Sequence, residues 1–139
     1  MRLDLYHAEC ERIAKDQIAL LDEVKQRINL GEPLSRLEQN GVLHALQVLI
    51  ENAIGKCKHL LKSLDEPVPV SAYDAFAGLE RRGHITQKQL IQWNATIGLR
   101  NRIVHDYINI DIDFIYKLIA NNDHQMIGEF LCKPILVNF

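Results

Sequence analysis

The chain has no strong charge of either sign. Sixteen Lys and Arg stand against eighteen Asp and Glu, a formal net charge of −2, whereas a protein that coats nucleic acid advertises a basic surface. Cysteine is scarce. Three residues, an odd number without C-x-x-C spacing, give neither a disulfide framework nor a zinc knuckle. Uninterrupted apolar runs stop after a few residues, too short to cross a bilayer. The opening stretch from Met1 to His7 lacks the apolar segment of a secretory signal, so a soluble, cytoplasmic protein without a membrane partner is expected. No glycine-rich phosphate loop occurs, which argues against ATP binding by the chain alone. No cofactor is expected.

What is present is an ordinary globular composition. With 139 residues and 47% hydrophobic content, the chain suits a single domain, residues 1–139, with a core of its own. Helical periodicity dominates. Tyr6, Cys10, Ile13, Leu20/Leu21, Val24 and Ile28 recur at three- and four-residue steps, one stripe of an amphipathic helix. Gly31 and Pro33 end it. Ser35 with Glu38 is a capping-box pattern that starts a second helix, whose stripe runs Leu46, Leu49, Ala53, Cys57, Leu60/Leu61 and Leu64. A short helix follows from about Ser71 to Arg82. Thr86 with Gln89 is a second capping box, and Leu90, Trp93, Ile97, Arg100, Val104 and Tyr107 follow it in helical register. Two shorter helical patterns, around Ile112–Ile119 and Asp123–Cys132, close the chain. No alternation is long enough for a sheet. The expectation is all-α, an up-and-down bundle of four to five helices.

Charge is spread unevenly. Residues 67–110 hold five basic groups (Arg81, Arg82, Lys88, Arg100, Arg102) against three acidic ones (Asp74, Glu80, Asp106), so contact with phosphate is expected to be local. Within that segment, Leu99 to Tyr107 packs two guanidiniums, an imidazole, a carboxylate and a phenol near the end of one helix. Successive helical residues step by about 100°, which sets Arg100 and His105 roughly 140° apart and His105 and Tyr107 roughly 160° apart. These groups converge only if the helix loosens near His105 or if two chains pair there. Asn94, Gly98, Asn101 and His105 form a separate small-polar strip, in which Gly98 leaves room for a backbone or a ligand. By residue type alone the plainer reading is a solvated face, with Arg102 and Asp106 as an i,i+4 ion pair and Tyr107 as a core phenol.

The pattern Arg100-Asn101-x-x-x-His105-x-Tyr107 resembles the R-x4-H-x-Y signature of the HEPN superfamily, in particular the HepT-type toxins. The resemblance covers the whole chain and the motif matches without substitution. It implies a metal-independent endoribonuclease acting as the toxin of a two-gene toxin–antitoxin pair. It implies a homodimer, with Arg100 and His105 of both chains lining one cleft. It also implies a minimal nucleotidyltransferase antitoxin that transfers AMP to Tyr107, with higher hetero-oligomers between the two proteins open.

The chemistry of the side chains agrees with that reading. Cleaving RNA without a metal needs a group to take the 2′-hydroxyl proton, one to protonate the leaving 5′-oxygen, and positive charge for the phosphorane. Histidine titrates near neutrality and suits the proton work; a guanidinium is always charged and bidentate. Arg100 is therefore the transition-state cation and His105 the acid–base or 2′-hydroxyl-positioning group. Asn101 orients a motif side chain or the phosphate, and Arg102 is a further candidate for the RNA backbone. An AMP group on Tyr107 would repel and obstruct RNA phosphate. The alternative is a non-catalytic HEPN-fold module that holds a nucleotidyltransferase partner or a nucleotide.

Other residues carry weaker signals. His7/Cys10 and Cys57/His59 each suggest half of a zinc site without a second half, so no metal site is expected. His105-Asp106 spells the dipeptide of metal-dependent HD phosphohydrolases, whose further ligands are not evident. Nothing in the sequence singles out His44, His84 or His124. Trp93 reads as a core or interface anchor. Lys56, Lys58 and Lys62 read as the wet face of the second helix.

Overall fold

The computed structural model describes residues 3–134, so both ends of the single domain expected over 1–139 lie outside the described residues. Six α-helices follow one another: α1 (Leu3–Asn29), α2 (Arg36–Ser63), α3 (Ala72–Arg81), α4 (Gln87–Asp106), α5 (Ile112–Ala120) and α6 (Gln125–Cys132), with a single 3-10 turn at Tyr107–Asn109. No strand occurs among the described residues. The fold is all-α as expected, and the described residues form six helices where four to five were expected.

The boundaries follow from local chemistry. α1 stops where Gly31 takes a positive φ of 73°, a conformation that costs a side chain but not a glycine. α2 opens on a complete capping box: Glu38 N–H donates to Ser35 Oγ, and Ser35 N–H donates to Glu38 Oε1. Arg27 reaches across from α1 to ion-pair with Glu38, which ties the link between the two long helices. At 27 and 28 residues, each is about 40 Å long, and so short a link turns them antiparallel. α4 opens on the second box, with Gln89 N–H donating to Thr86 Oγ1 and Thr86 N–H to Gln89 Oε1.

The core gathers on α2, whose stripe from Leu46 through Leu49, Ala53, Cys57 and Leu61 is buried between α1, α3, α4 and α6. Burial pushes the Cys57 thiol up to about 12, so it serves as a small hydrophobe. Trp93 is a core residue: its indole stacks on Phe76 at 4.4 Å between centroids and meets Phe130 edge-on at 4.9 Å. α6 closes on α1 at Gly128, where a Cβ would stand 2.9 Å from Ile18 Cγ1, closer than packed carbons tolerate.

Two readings are corrected. Lys56 does not lie on a wet face; it is 2% exposed. Its ammonium donates to the carbonyls of Phe130 and Lys133, both at 2.5 Å, and approaches that of Leu131 at 3.4 Å. A helix ends with carbonyls that have no partner of their own, and Lys56 fills that role at the end of α6 from a neighbouring helix. Burial pushes its pKa down to about 8. Lys58 is half-buried and donates to the Val70 carbonyl; Lys62 is exposed. His124 does have partners. It is fully buried, with Nε2 3.0 Å from Asp22 Oδ1, an oxygen that also accepts from Gln125 Nε2 at 2.9 Å. The cluster fastens α6 to α1.

Candidate active site

α4 places the motif. The helix runs unbroken past His105 and departs from helical geometry at Asp106, with φ −152° and ψ 38°. The loosening that would swing His105 towards Arg100 within one chain therefore comes one residue too late. The roughly 140° between them stands, and the remaining route to convergence is a second chain. Beyond Asp106 the 3-10 turn redirects the backbone, so the ideal-helix angle between His105 and Tyr107 no longer applies.

Arg100 lies half-buried on the side of α4 that also carries Trp93 and Ile97, and its Nε is sealed from solvent without a hydrogen-bond partner. With Nε out of reach, binding is left to the terminal nitrogens of the guanidinium. His105 and Arg102 are exposed and Asn101 is half-buried. Tyr107 is 52% exposed, so its hydroxyl belongs to the surface rather than the core. Asp106 accepts from Asn109 Nδ2 at 2.7 Å, and among the described residues it makes no ion pair with Arg102. The plainer reading of this stretch thus loses both its ion pair and its core phenol.

The small-polar strip gains a neighbour the sequence did not reveal. Tyr73 of α3 brings its hydroxyl to 3.5 Å from Asn101 Nδ2 and to 3.7 Å from the point where a Cβ on Gly98 would stand. The room left by Gly98 is taken on this side by a phenol. No spacing in the chain signals a contact between residues 28 apart; it depends on how α3 crosses α4.

The zinc half-sites dissolve into structural contacts. His7 Nε2 lies 3.3 Å from Glu11, Cys10 is buried, and His59 packs on Tyr6 at 4.0 Å. Among the described residues no three His, Cys, Asp or Glu are grouped to hold a metal ion, and no helix is long and apolar enough to cross a membrane. Two clefts, one beside Lys56 and Trp93 and one between α4 and α5, contain none of Arg100, His105 and Tyr107. His105 and Tyr107 stand exposed, while Arg100 is half-buried.

Comparison with known proteins gives the fold and the family. The family described as Ribonuclease HepT-like matches residues 14–132. The chain is 31% identical over 103 residues to the tRNA nuclease HepT of Aphanizomenon flos-aquae, covering 72% of this chain and 70% of that protein. It is 29% identical over 84 residues to the mRNA nuclease HepT of Shewanella oneidensis, covering 60% and 63%. Among solved structures it resembles a chain of a toxin–antitoxin complex with AMP-PNP, at a TM-score of 0.64 and 23% identity over 86% of this chain and 97% of that one. It resembles equally, at 0.64 and 24% over 86% and 96%, a chain of the tri-AMPylated Shewanella oneidensis HEPN toxin bound to its MNT antitoxin. These likenesses give the fold, and the family match extends over most of the helices that build it. The chain belongs to the ribonuclease HepT-like family.

Proposed function

We propose that this chain is the RNA-cleaving toxin of a toxin–antitoxin pair, working as a homodimer whose shared cleft is built from Arg100 and His105 of both copies. The observation that carries the reading is the unbroken α4 up to His105. It keeps cation and imidazole on different sides of one helix, so a single chain lacks a complete site and two copies supply it. Exposed apolar groups on and just beyond α4 support that pairing: Ile91 at 65%, Val104 at 40% and Ile108 at 76%. Val104 and Ile108 flank His105 in sequence and Ile91 lies within about 40° of its direction round α4, so apolar surface is available to a partner that reaches the imidazole.

Within the cleft, Arg100 presents its terminal nitrogens to the phosphate oxygens and stabilises the charge that grows on the phosphorane. One His105 takes the 2′-hydroxyl proton. The 2′-oxygen then attacks phosphorus, and the 5′-oxygen leaves with a proton from the second imidazole, giving a 2′,3′-cyclic phosphate end. No metal enters. Arg102 attends the RNA backbone and Asn101 orients the phosphate or a motif side chain. The relatives are named as tRNA and mRNA nucleases, which supports RNA as the substrate class. A nucleotidyltransferase antitoxin is the partner, and Tyr107, at the surface two residues from His105, is the acceptor of AMP.

The test is incubation of dimer, prepared without antitoxin, with labelled RNA in EDTA. Cleavage by wild type that persists in the chelator and disappears in His105→Ala is the expected result. Wild-type and mutant protein equally inert towards RNA would overturn the reading in favour of a binding module.

A further inference from the structure

We propose that Tyr73 is the base-stacking wall of the RNA cleft, an aromatic platform for an unpaired nucleotide beside the scissile phosphate; this rests on the nuclease reading above. The argument starts from where α3 sets the ring. Tyr73 is 41% exposed, although it follows Ala72 and precedes Ala75 and Phe76, all buried. The core beneath is already filled by Phe76 against Trp93, so packing does not require a second large aromatic here.

Its hydroxyl faces the open side of Gly98, 3.7 Å from where a Cβ would stand, and lies 3.5 Å from Asn101 Nδ2. On α4 these two residues lie about 20° and 40° either side of the direction of His105. The phenol therefore stands on the same side of α4 as the imidazole, and Asn101 lies about 6 Å closer to the helix N-terminus than His105. A nucleotide whose phosphate sits at His105 would bring a neighbouring base to that place.

The chemistry selects a base rather than a second phosphate. The first turn of α3 carries Asp74, whose charge disfavours another anion. Tyr73's hydroxyl is turned to the strip and the residue remains 41% exposed, so the ring has surface to offer a base. Unpaired RNA bases are read by stacking on tyrosine, and stacking tolerates any base because each has a π-face. The cleft so built takes single-stranded loops or ends in preference to duplex, whose bases are already stacked.

The experiment uses the intact, unmodified dimer and a short labelled oligoribonucleotide, compared with the same sequence annealed to its complement. Tyr73→Ala is expected to raise KM for the unpaired RNA about tenfold, the scale of one stacked base, with kcat within about a factor of two. Tyr73→Phe keeps the ring and is expected to keep the wild-type KM. In a His105→Ala background, Tyr73→Ala weakens binding of the oligonucleotide by the same factor, and Tyr73→Leu serves if the alanine variant folds poorly. A wild-type KM in Tyr73→Ala and Tyr73→Leu, or an equal loss in Tyr73→Phe, overturns the proposal. So does an equal rise in KM on the duplex. If instead His105→Ala cuts as well as wild type, it is the nuclease reading that fails, not the stacking wall alone.

Discussion

Among the described residues α2 and α4 begin with complete capping boxes, and they are used in opposite ways. α2 buries twelve of its 28 residues and touches α1, α3, α4 and α6; it is the post around which the bundle stands. α4 buries only Trp93, Ile97 and Ile103 of its 20, yet it holds Arg100, Asn101, Arg102 and His105. A helix that need not serve the core on all sides is free to carry chemistry, and the apolar groups it leaves in water are available to a second copy.

The contrast can be broken most forcefully in the core. Leu49 on α2 is fully buried, and Leu49→Ala is expected to cost about 2–5 kcal/mol of unfolding free energy through lost contacts and the cavity left behind. Ile91→Ala on α4, at an exposed position, should change the stability of the single subunit by less than about 0.5 kcal/mol while weakening self-association. Urea denaturation and sedimentation separate the two effects. A large loss of subunit stability in Ile91→Ala would mean that α4 serves the core as α2 does.

Much of this contrast was legible in the residue order. Ser35/Glu38 and Thr86/Gln89 announce the two helix starts because capping is local chemistry, fixed by residues three apart. The R-x4-H-x-Y spacing is likewise a local pattern, contained within α4 and the turn that follows it. Lys56 was misread although its position carried the signal: it lies three residues after Ala53 and four before Leu60, inside the apolar stripe, and its charge outweighed its register. What no local pattern encodes is contact between distant segments. The carbonyls of α6 that receive Lys56, the Asp22 that faces His124, and the Tyr73 that meets Asn101 all depend on how helices cross. On the proposed function Arg100 and His105 meet only across two chains, a contact further still from what a local pattern encodes.

Lys56 gives the next largest effect and sharpens what α2 does. Lys56→Ala leaves the carbonyls at the end of α6 without a donor and opens a void beside Phe130, and should cost about 2–4 kcal/mol. Lys56→Met restores most of the volume but not the donor, and should recover part of that loss. Amide hydrogen exchange would place the loosening at α6. If Lys56→Met were as stable as wild type, the ammonium would be a passenger rather than the cap of that helix.

The smallest effect distinguishes the two capping boxes themselves. α2 uses a carboxylate at the third position, Glu38, whereas α4 uses an amide, Gln89. The Arg27 guanidinium beside Glu38, helped by the Ser35 backbone N–H, holds its pKa at about 2, down from 4.5. A carboxyl whose folded pKa is depressed contributes stability that is complete above the unfolded value and is lost as pH falls towards the folded one. The start of α2 should therefore weaken between about pH 4.5 and pH 2, while the start of α4, with nothing to titrate in its box, should not. Glu38 is exposed, so salt screens the effect and keeps it small. Glu38→Gln makes the α2 box chemically like that of α4. Across that window the stability of the variant should fall less steeply than that of wild type, with the two curves closest at the acid end, as followed by urea midpoints against pH. Parallel curves would mean that the Arg27 contact adds nothing to the cap, and that the two helix starts are held equally well by their side-chain and backbone hydrogen bonds alone.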